Sequence, residues 1–459
     1  MDTYEEQKRN EKHKRMTESP VERLILAMSV PTIISMLVSS FYNMVDSVYV
    51  GHLDNTESSA AVGIAFSIMV LIQAIGFFFG HGSGNYISRE LGSKKYDEAE
   101  KMAAVGFFTP IGLGAVIAVS GLLFLTPLAK LLGATGTALP YTVDYLKYIL
   151  IGTPFMMSSL VLNNQLRLQG NAQFAMIGIT AGAVLNIFLD PIFIFTLDMG
   201  VGGAALATII AQFVSWLLLL IGSMQKGNIH IRFKHFKPTF ERYRQITKGG
   251  LPSLCRQGLT SVAVIALNWA VKDYGDSAIA AFSIVSKITA FASSALIGFG
   301  QGFQPVCGFN YGAGLYRRVK DAFIFCIKVS TVGLIIISIL GYLGAPALVA
   351  LFRSEDPLLL EIGAQTLRYQ CLSFPFMGVV ILTNMLLQNI GKTLPASLLA
   401  MARQGLFFIP ALFILVSVLG LKGAEWAQPA ADIASFLLAV PLCLLEIREL
   451  NRLTQYSQL

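Results

Sequence analysis

The stretch GVGGAALATIIAQFVSWLL, from Gly200 to Leu218, returns in altered form as GLKGAEWAQPAADIASFLL, from Gly420 to Leu438. Glycine, alanine, serine and leucine coincide at a constant offset of about 220 residues, a self-similarity that marks a duplicated architecture. The same offset pairs AAVGI from Ala60 with AAFSI from Ala280, and GHG from Gly80 with GQG from Gly300. With one residue of slippage, KYILIGTPFM from Lys147 pairs with RYQCLSFPFM from Arg368, and Pro31 pairs with Pro252. The chain therefore reads as two similar halves in tandem.

Those halves belong in a membrane. Of the 459 residues, 54% are hydrophobic and 13% are charged. An ordinary soluble domain carries about 25% charged residues, so this chain has too few to cover itself with a polar surface. About twelve apolar segments are long enough to cross ~30 Å of hydrocarbon. They fall near 24–50, 60–88, 101–125, 140–162, 171–197, 201–224, 246–271, 278–305, 321–343, 358–387, 394–418 and 424–446. The predicted fold is all-α, twelve transmembrane helices in two six-helix lobes. Pro31, Pro154, Pro252 and Pro375 lie inside spans and favour kinks there.

Six spans return the chain to its starting side, so both halves have the same topology. They are related by an axis along the membrane normal, which places a cavity between two lobes that can rock. The predicted organisation is a polar tail (1–22), a first lobe (23–224), a basic linker (225–245), a second lobe (246–448) and a short tail (449–459). No signal-peptide pattern is read at the N-terminus. Lys and Arg number about 24 on the side of the termini and about 4 on the other, which predicts a multi-pass cell-membrane protein with both termini cytoplasmic. The segment around the linker carries Lys226, Arg232, Lys234, Lys237, Arg242, Arg244 and Lys248 and reads as an anchor facing anionic lipid. Charges sit in short loops rather than on one basic face, which argues against nucleic acid as a partner.

Acids inside spans need a reason, since a charge there costs at least about 2.5–3.5 kcal/mol on insertion scales. Asp46 lies late in the first span, in FYNMVDSVYVG, and Asp190 late in the fifth, in NIFLDPIFIF. Asn186 stands four residues before Asp190, on the same helical face. Pro191 follows, where a kink frees backbone carbonyls. Thr208 enters early in the sixth span at similar depth, with the carbonyl of Ala204 one turn away. Two carboxylates, an amide, a hydroxyl and a carbonyl make an all-oxygen set that suits a hard cation such as Na⁺. The same set can hold protons, with coupled titration. Neither acid is repeated in the second half: their counterparts fall near Ala266 or Leu267 and near Ile409 or Pro410.

Tyr145 and Asn163 extend the polar set along the fourth span. Lys287, Arg256, Lys328 and Arg403 either reach the interface or line the cavity, and Asp432 either faces the cavity or pairs with a basic residue. Cys255, Cys307, Cys326, Cys371 and Cys443 have no paired spacing and read as small apolar fillers. The histidines (His13, His52, His81, His230, His235) avoid span centres, and no paired Asp motif offers a Mg²⁺-pyrophosphate site. An intramembrane transferase is therefore disfavoured and no enzyme activity is expected.

These residues carry a resemblance. Pro31 with FYNMVDSVYVG, GNYISRELGSKK from Gly84, RLQGN from Arg167, and NIFLDPIFIF followed by GVGGAALAT together resemble the multidrug and toxic compound extrusion (MATE) transporters along nearly the whole chain. The likeness is greatest to the DinF-like and MepA-like prokaryotic branch. It implies a V-shaped, monomeric antiporter without a cofactor, exporting amphipathic organic cations against H⁺ or Na⁺. It also implies that Asp46, Asn186, Asp190 and Thr208 carry the coupling ion, with Tyr145 and Asn163 as polar neighbours and Pro31 and Pro191 as bending points. The NorM-like branch has a Glu after the seventh-span proline. Here Pro252 is followed by SLCRQGLTS, with none. A lipid-linked precursor flippase of the wider superfamily is the alternative that intramembrane Lys and Arg would serve.

Overall fold

The computed structural model describes residues 3–51, 56–134, 136–352 and 356–456. His52 lies outside the described residues, as do the outermost residues of both predicted tails. The first lobe comprises α2 (Val21–Gly51), α3 (Thr56–Gly92), α4 (Tyr96–Leu123), the short α5 (Leu125–Leu131), α6 (Leu139–Leu168), α7 (Ala172–Pro191) and α8 (Gly200–Ser223). The second comprises α9 (Phe240–Val271), α10 (Asp276–Gly312), α11 (Tyr316–Ala350), α12 (Pro357–Asn389), α13 (Thr393–Met401), α14 (Phe408–Leu419) and α15 (Leu421–Tyr456). Twelve helices, counting α13–α14 as one, are apolar and long enough to cross a membrane among the described residues. Each predicted span has its helix. Most helices run past the predicted ends, because hydrogen bonding within the segment carries the backbone beyond the apolar stretch.

Residues Thr3–Glu18, at the start of the predicted tail, form a further helix, α1. It packs across the face that bears the termini. Arg9 pairs with Glu100 of α4 at 2.7 Å. The Asn310 amide of α10 donates to the Met16 carbonyl at 3.0 Å, and Arg318 of α11 donates to the Ser19 carbonyl at 2.6 Å. One helix thus grips both lobes.

Within lipid the hydrophobic effect cannot drive helices together, so close packing and hydrogen bonds must. Small residues supply the packing. A Cβ on Gly82 would lie 2.3 Å from the Ile246 carbonyl oxygen, and one on Gly250 would lie 2.2 Å from the Phe78 carbonyl oxygen. Only glycine lets α3 and α9 cross this closely. Hydroxyls bond back to their own helix, as Thr32 does to Met28 and Ser158 to Pro154.

The cores explain the shape. Near the termini one apolar cluster takes residues from both lobes, among them Met28, Phe79, Phe303 and Leu382. Farther away the clusters separate, one around Ile72, Leu146 and Ile149, the other around Phe282, Leu367 and Leu412. The lobes meet through α2–α10 and α3–α9 and diverge beyond, leaving a V whose mouth faces away from the termini.

Candidate functional site

A cavity of about 370 Å³ follows the inner wall of the first lobe. The helices α2, α3, α6, α7 and α8 supply most of its lining, and α9 and α10 supply the floor. Asp46, Asn186, Thr208, Tyr145 and Asn163 all line it. Asp190 and Ala204 stand just behind the surface, at 0% and 1% exposure.

The carboxyl groups of Asp46 and Asp190 face each other within hydrogen-bonding reach. On α7 the one-turn spacing holds: the Asn186 amide donates to Asp190 Oδ1 at 3.0 Å. Asp190 Oδ2 and Asn186 Oδ1 are buried with no hydrogen-bond partner. Orphaned acceptors at such a site are costly, and a proton or small cation between the acids would satisfy them. Among the described residues no group of three or more His, Cys, Asp or Glu could hold a metal ion.

Local chemistry fixes these positions. Pro191 cannot continue the α-helical hydrogen-bond ladder, and α7 passes directly into a π-helical turn, Ile192–Thr196. Such turns disturb the backbone ladder and recur at functional sites. Thr208 Oγ1 donates to the Ala204 carbonyl at 3.0 Å, so that carbonyl already has a partner. The Tyr42 hydroxyl is hydrogen-bonded to Thr208. Sequence reasoning passed over Tyr42, although it precedes Asp46 by four residues and shares its helical face. Asn163 is held by the Ala175 carbonyl at 3.0 Å, and the Tyr145 hydroxyl points to Met69 Sδ at 3.7 Å. Both border the cavity without touching the acid pair.

The basic candidates separate. Lys287 and Lys328 are exposed on their helices, and Arg256 lines the cavity floor. Arg403 lies in a second π-helical turn, Ala402–Leu406, and pairs with buried Asp432 at 2.7 Å. Ser373 and Gln428 also donate to Asp432, at 2.8 and 2.9 Å. Gln428 stands one repeat offset after Thr208. The second lobe thus holds an acid whose counter-cation is covalently attached, where the first lobe holds an acid pair with an open acceptor.

The comparisons with known proteins agree with this architecture. The family model described as MatE matches residues 31–192 and 252–443. A multidrug export protein MepA from Staphylococcus haemolyticus (strain JCSC1435) is 31% identical over 424 residues, 92% of this chain and 93% of that protein. A crystal structure of MATE in complex with MaL6 superposes with a TM-score of 0.89 at 26% identity, covering 96% of this chain and 99% of the other. The outward-facing conformation of a multidrug resistance MATE family transporter of the MOP superfamily gives 0.89 at 27% identity, covering 96% and 98%.

Proposed function

We propose that this chain, which belongs to the MatE family of multidrug efflux transporters, is a gradient-driven antiporter that exports amphipathic organic cations in exchange for H⁺ or Na⁺. It is a transporter and not an enzyme. The observation that carries the coupling is the Asp46–Asp190 pair, with Asp190 Oδ2 buried and without a donor.

The excess of Lys and Arg on the terminus side supports cytoplasmic termini in a cell membrane. With that orientation the V opens outward. The coupling ion then enters from outside and settles between the two acids. Its charge cancels the attraction that held a cationic cargo in the cavity, and the cargo leaves outward. Asp46 sits on α2 beyond Pro31, a proline-weakened helix that can bend when its acid changes charge. Rocking of the lobes carries the ion inward and exposes the cavity to the cytoplasm. The second lobe, with Asp432 already paired by Arg403, serves as the partner surface rather than a second ion site.

The test is Asp190→Asn in proteoliposomes. The variant folds and loses gradient-driven efflux, because an amide cannot exchange a proton and attracts a cation weakly. Wild-type export by that variant under the same gradient would sink the mechanism. Imposing a pH gradient and a Na⁺ gradient separately identifies the ion, since efflux answers the one that drives it.

A further inference from the structure

At the closed end of the cavity the charges reverse. Arg167, on the last turn of α6, is 1% exposed yet borders the cavity. Its Nη1 donates to the Gln301 carbonyl at 2.8 Å and to Gln304 Oε1 at 2.7 Å, and its Nη2 donates to Asn164 Oδ1 at 2.7 Å. Nη2 also lies 3.5 Å from His81 Nε2; none of these partners is a carboxylate, and the Arg167 Nε is buried without a partner. Arg256 of α9 stands within electrostatic range of Arg167 and of His81. No ion pair or hydrogen bond is formed by the Arg256 guanidinium among the described residues. Two guanidinium groups therefore share the floor with no carboxylate beside them. The carboxylate that lines the cavity, Asp46, lies elsewhere. Thr32 of α2 bonds to the Gly298 carbonyl at the floor, and Asp46 is fourteen residues further along that helix, roughly 21 Å at ~1.5 Å per residue. At that distance Asp46 forms no ion pair with either guanidinium.

Uncompensated charge of this kind needs a partner, and a guanidinium fits an oxyanion best, through two parallel hydrogen bonds. We infer that the cavity floor at Arg256 and Arg167 is a subsite for an oxyanion, a carboxylate or phosphate, and that the cavity takes zwitterionic amphiphiles end-on. The cationic end points to Asp46 and the anionic end to the arginines. This rests on the cavity being the cargo site, and adds that its cargo carries an anionic group. Arg256 is the primary contact because its donors are free, with the side-chain amides of Gln257 and Gln301 beside it on the cavity wall. Arg167 is a positioning residue that also ties α6 to α10.

The test compares rhodamine B, a zwitterion with a free carboxylate, with its ethyl ester, a cation with the same ring system. Binding is measured by fluorescence polarisation on the purified full chain in dodecyl maltoside, a detergent with neither phosphate nor charge. The readout is the ratio of acid to ester affinity, which uses no gradient and so stands apart from any failure of ion coupling. Arg256→Gln lowers this ratio about tenfold, the scale of one charge-assisted contact. Arg256→Lys lowers it less, because the charge stays and the two-pronged geometry is lost. Thermal unfolding verifies folding, and the lysine variant decides if the glutamine variant does not fold. An unchanged ratio in the folded variants overturns the inference. Competition separates the sources of oxyanion. Displacement of rhodamine B by millimolar inorganic phosphate assigns a free anion. Displacement only when phosphatidylglycerol is added to the micelles assigns a lipid headgroup. Displacement by neither, with the ratio still dependent on Arg256, assigns the carboxylate of the cargo.

Discussion

Replacing Gly250 with alanine tests the proposal that the lobes separate on the terminus side. Gly250 lies in α9 where that helix crosses α3. The added Cβ would sit 2.2 Å from the Phe78 carbonyl oxygen and 2.9 Å from its carbon, whereas ordinary contact begins near 3.4 Å. The obstacle is helix backbone and cannot swing aside. Relief needs more than an ångström of separation between the lobes. Overpacking of this order costs about 1–3 kcal/mol. A conformation with the lobes parted at this face does not incur that cost, so the equilibrium shifts toward it by about 5- to 150-fold. The control is Gly258→Ala in the same helix, where a Cβ meets nothing within 4 Å. Both changes gain the same helix propensity, about 1 kcal/mol, so their difference isolates the clash. Spin labels at Lys226 and Arg452, exposed near the terminus-side ends of α8 and α15, report the separation by pulsed dipolar spectroscopy. Gly250→Ala moves population to longer distances and slows export. Distances and export matching those of Gly258→Ala would refute the reasoning.

Other outcomes follow from single contacts. Arg403→Leu strips buried Asp432 of its cation, a loss of about 3–5 kcal/mol that lowers the unfolding temperature in detergent; Arg403→Met with Asp432→Leu recovers much of it. Tyr42→Phe removes a hydroxyl bonded to Thr208, and at about 1 kcal/mol the ion concentration for half-maximal efflux changes roughly fivefold. Arg9→Gln breaks the pairs with Glu5 and Glu100 and loosens α1, read as a longer label distance between α1 and α10. Burial, then Arg15 and Arg9 on the same helix, push the Lys12 ammonium down to about 7, while the linker faces it with neutral Gly227 and Asn228. Docked α1 therefore binds fewer protons than free α1 between pH about 7 and the ordinary 10.5. Docking strengthens as pH rises through that window and is flat below it. In Lys12→Met the same label distance no longer depends on pH.

Much of the fold was legible because lipid imposes a one-dimensional rule. Backbone groups in hydrocarbon must bond within their own helix, so apolar length translates directly into spans. The acid pair was legible for the same reason, since a carboxylate between Val45 and Ser47 or before Pro191 has no solvating role on a lipid face. Tyr42 was missed because a tyrosine in a span is ordinary until its hydroxyl is seen bonded to Thr208. Arg256 and Arg403 could not be told apart in the sequence. Each is one arginine in an apolar helix, yet one meets Asp432 from 29 residues away in the chain and the other meets no acid.

The sequence alone determined twelve helices in two similar halves, and a first half that keeps two acids the second half lacks. Tertiary structure decided which of those charges are satisfied. Only packing showed that Asp432 of the second lobe carries its own arginine, that Asp190 has an open oxygen, and that the cavity turns from acidic wall to basic floor. The physical reason is range. Hydropathy is fixed by each segment's own residues, whereas charge compensation depends on side chains a few ångströms apart that the chain places on different helices.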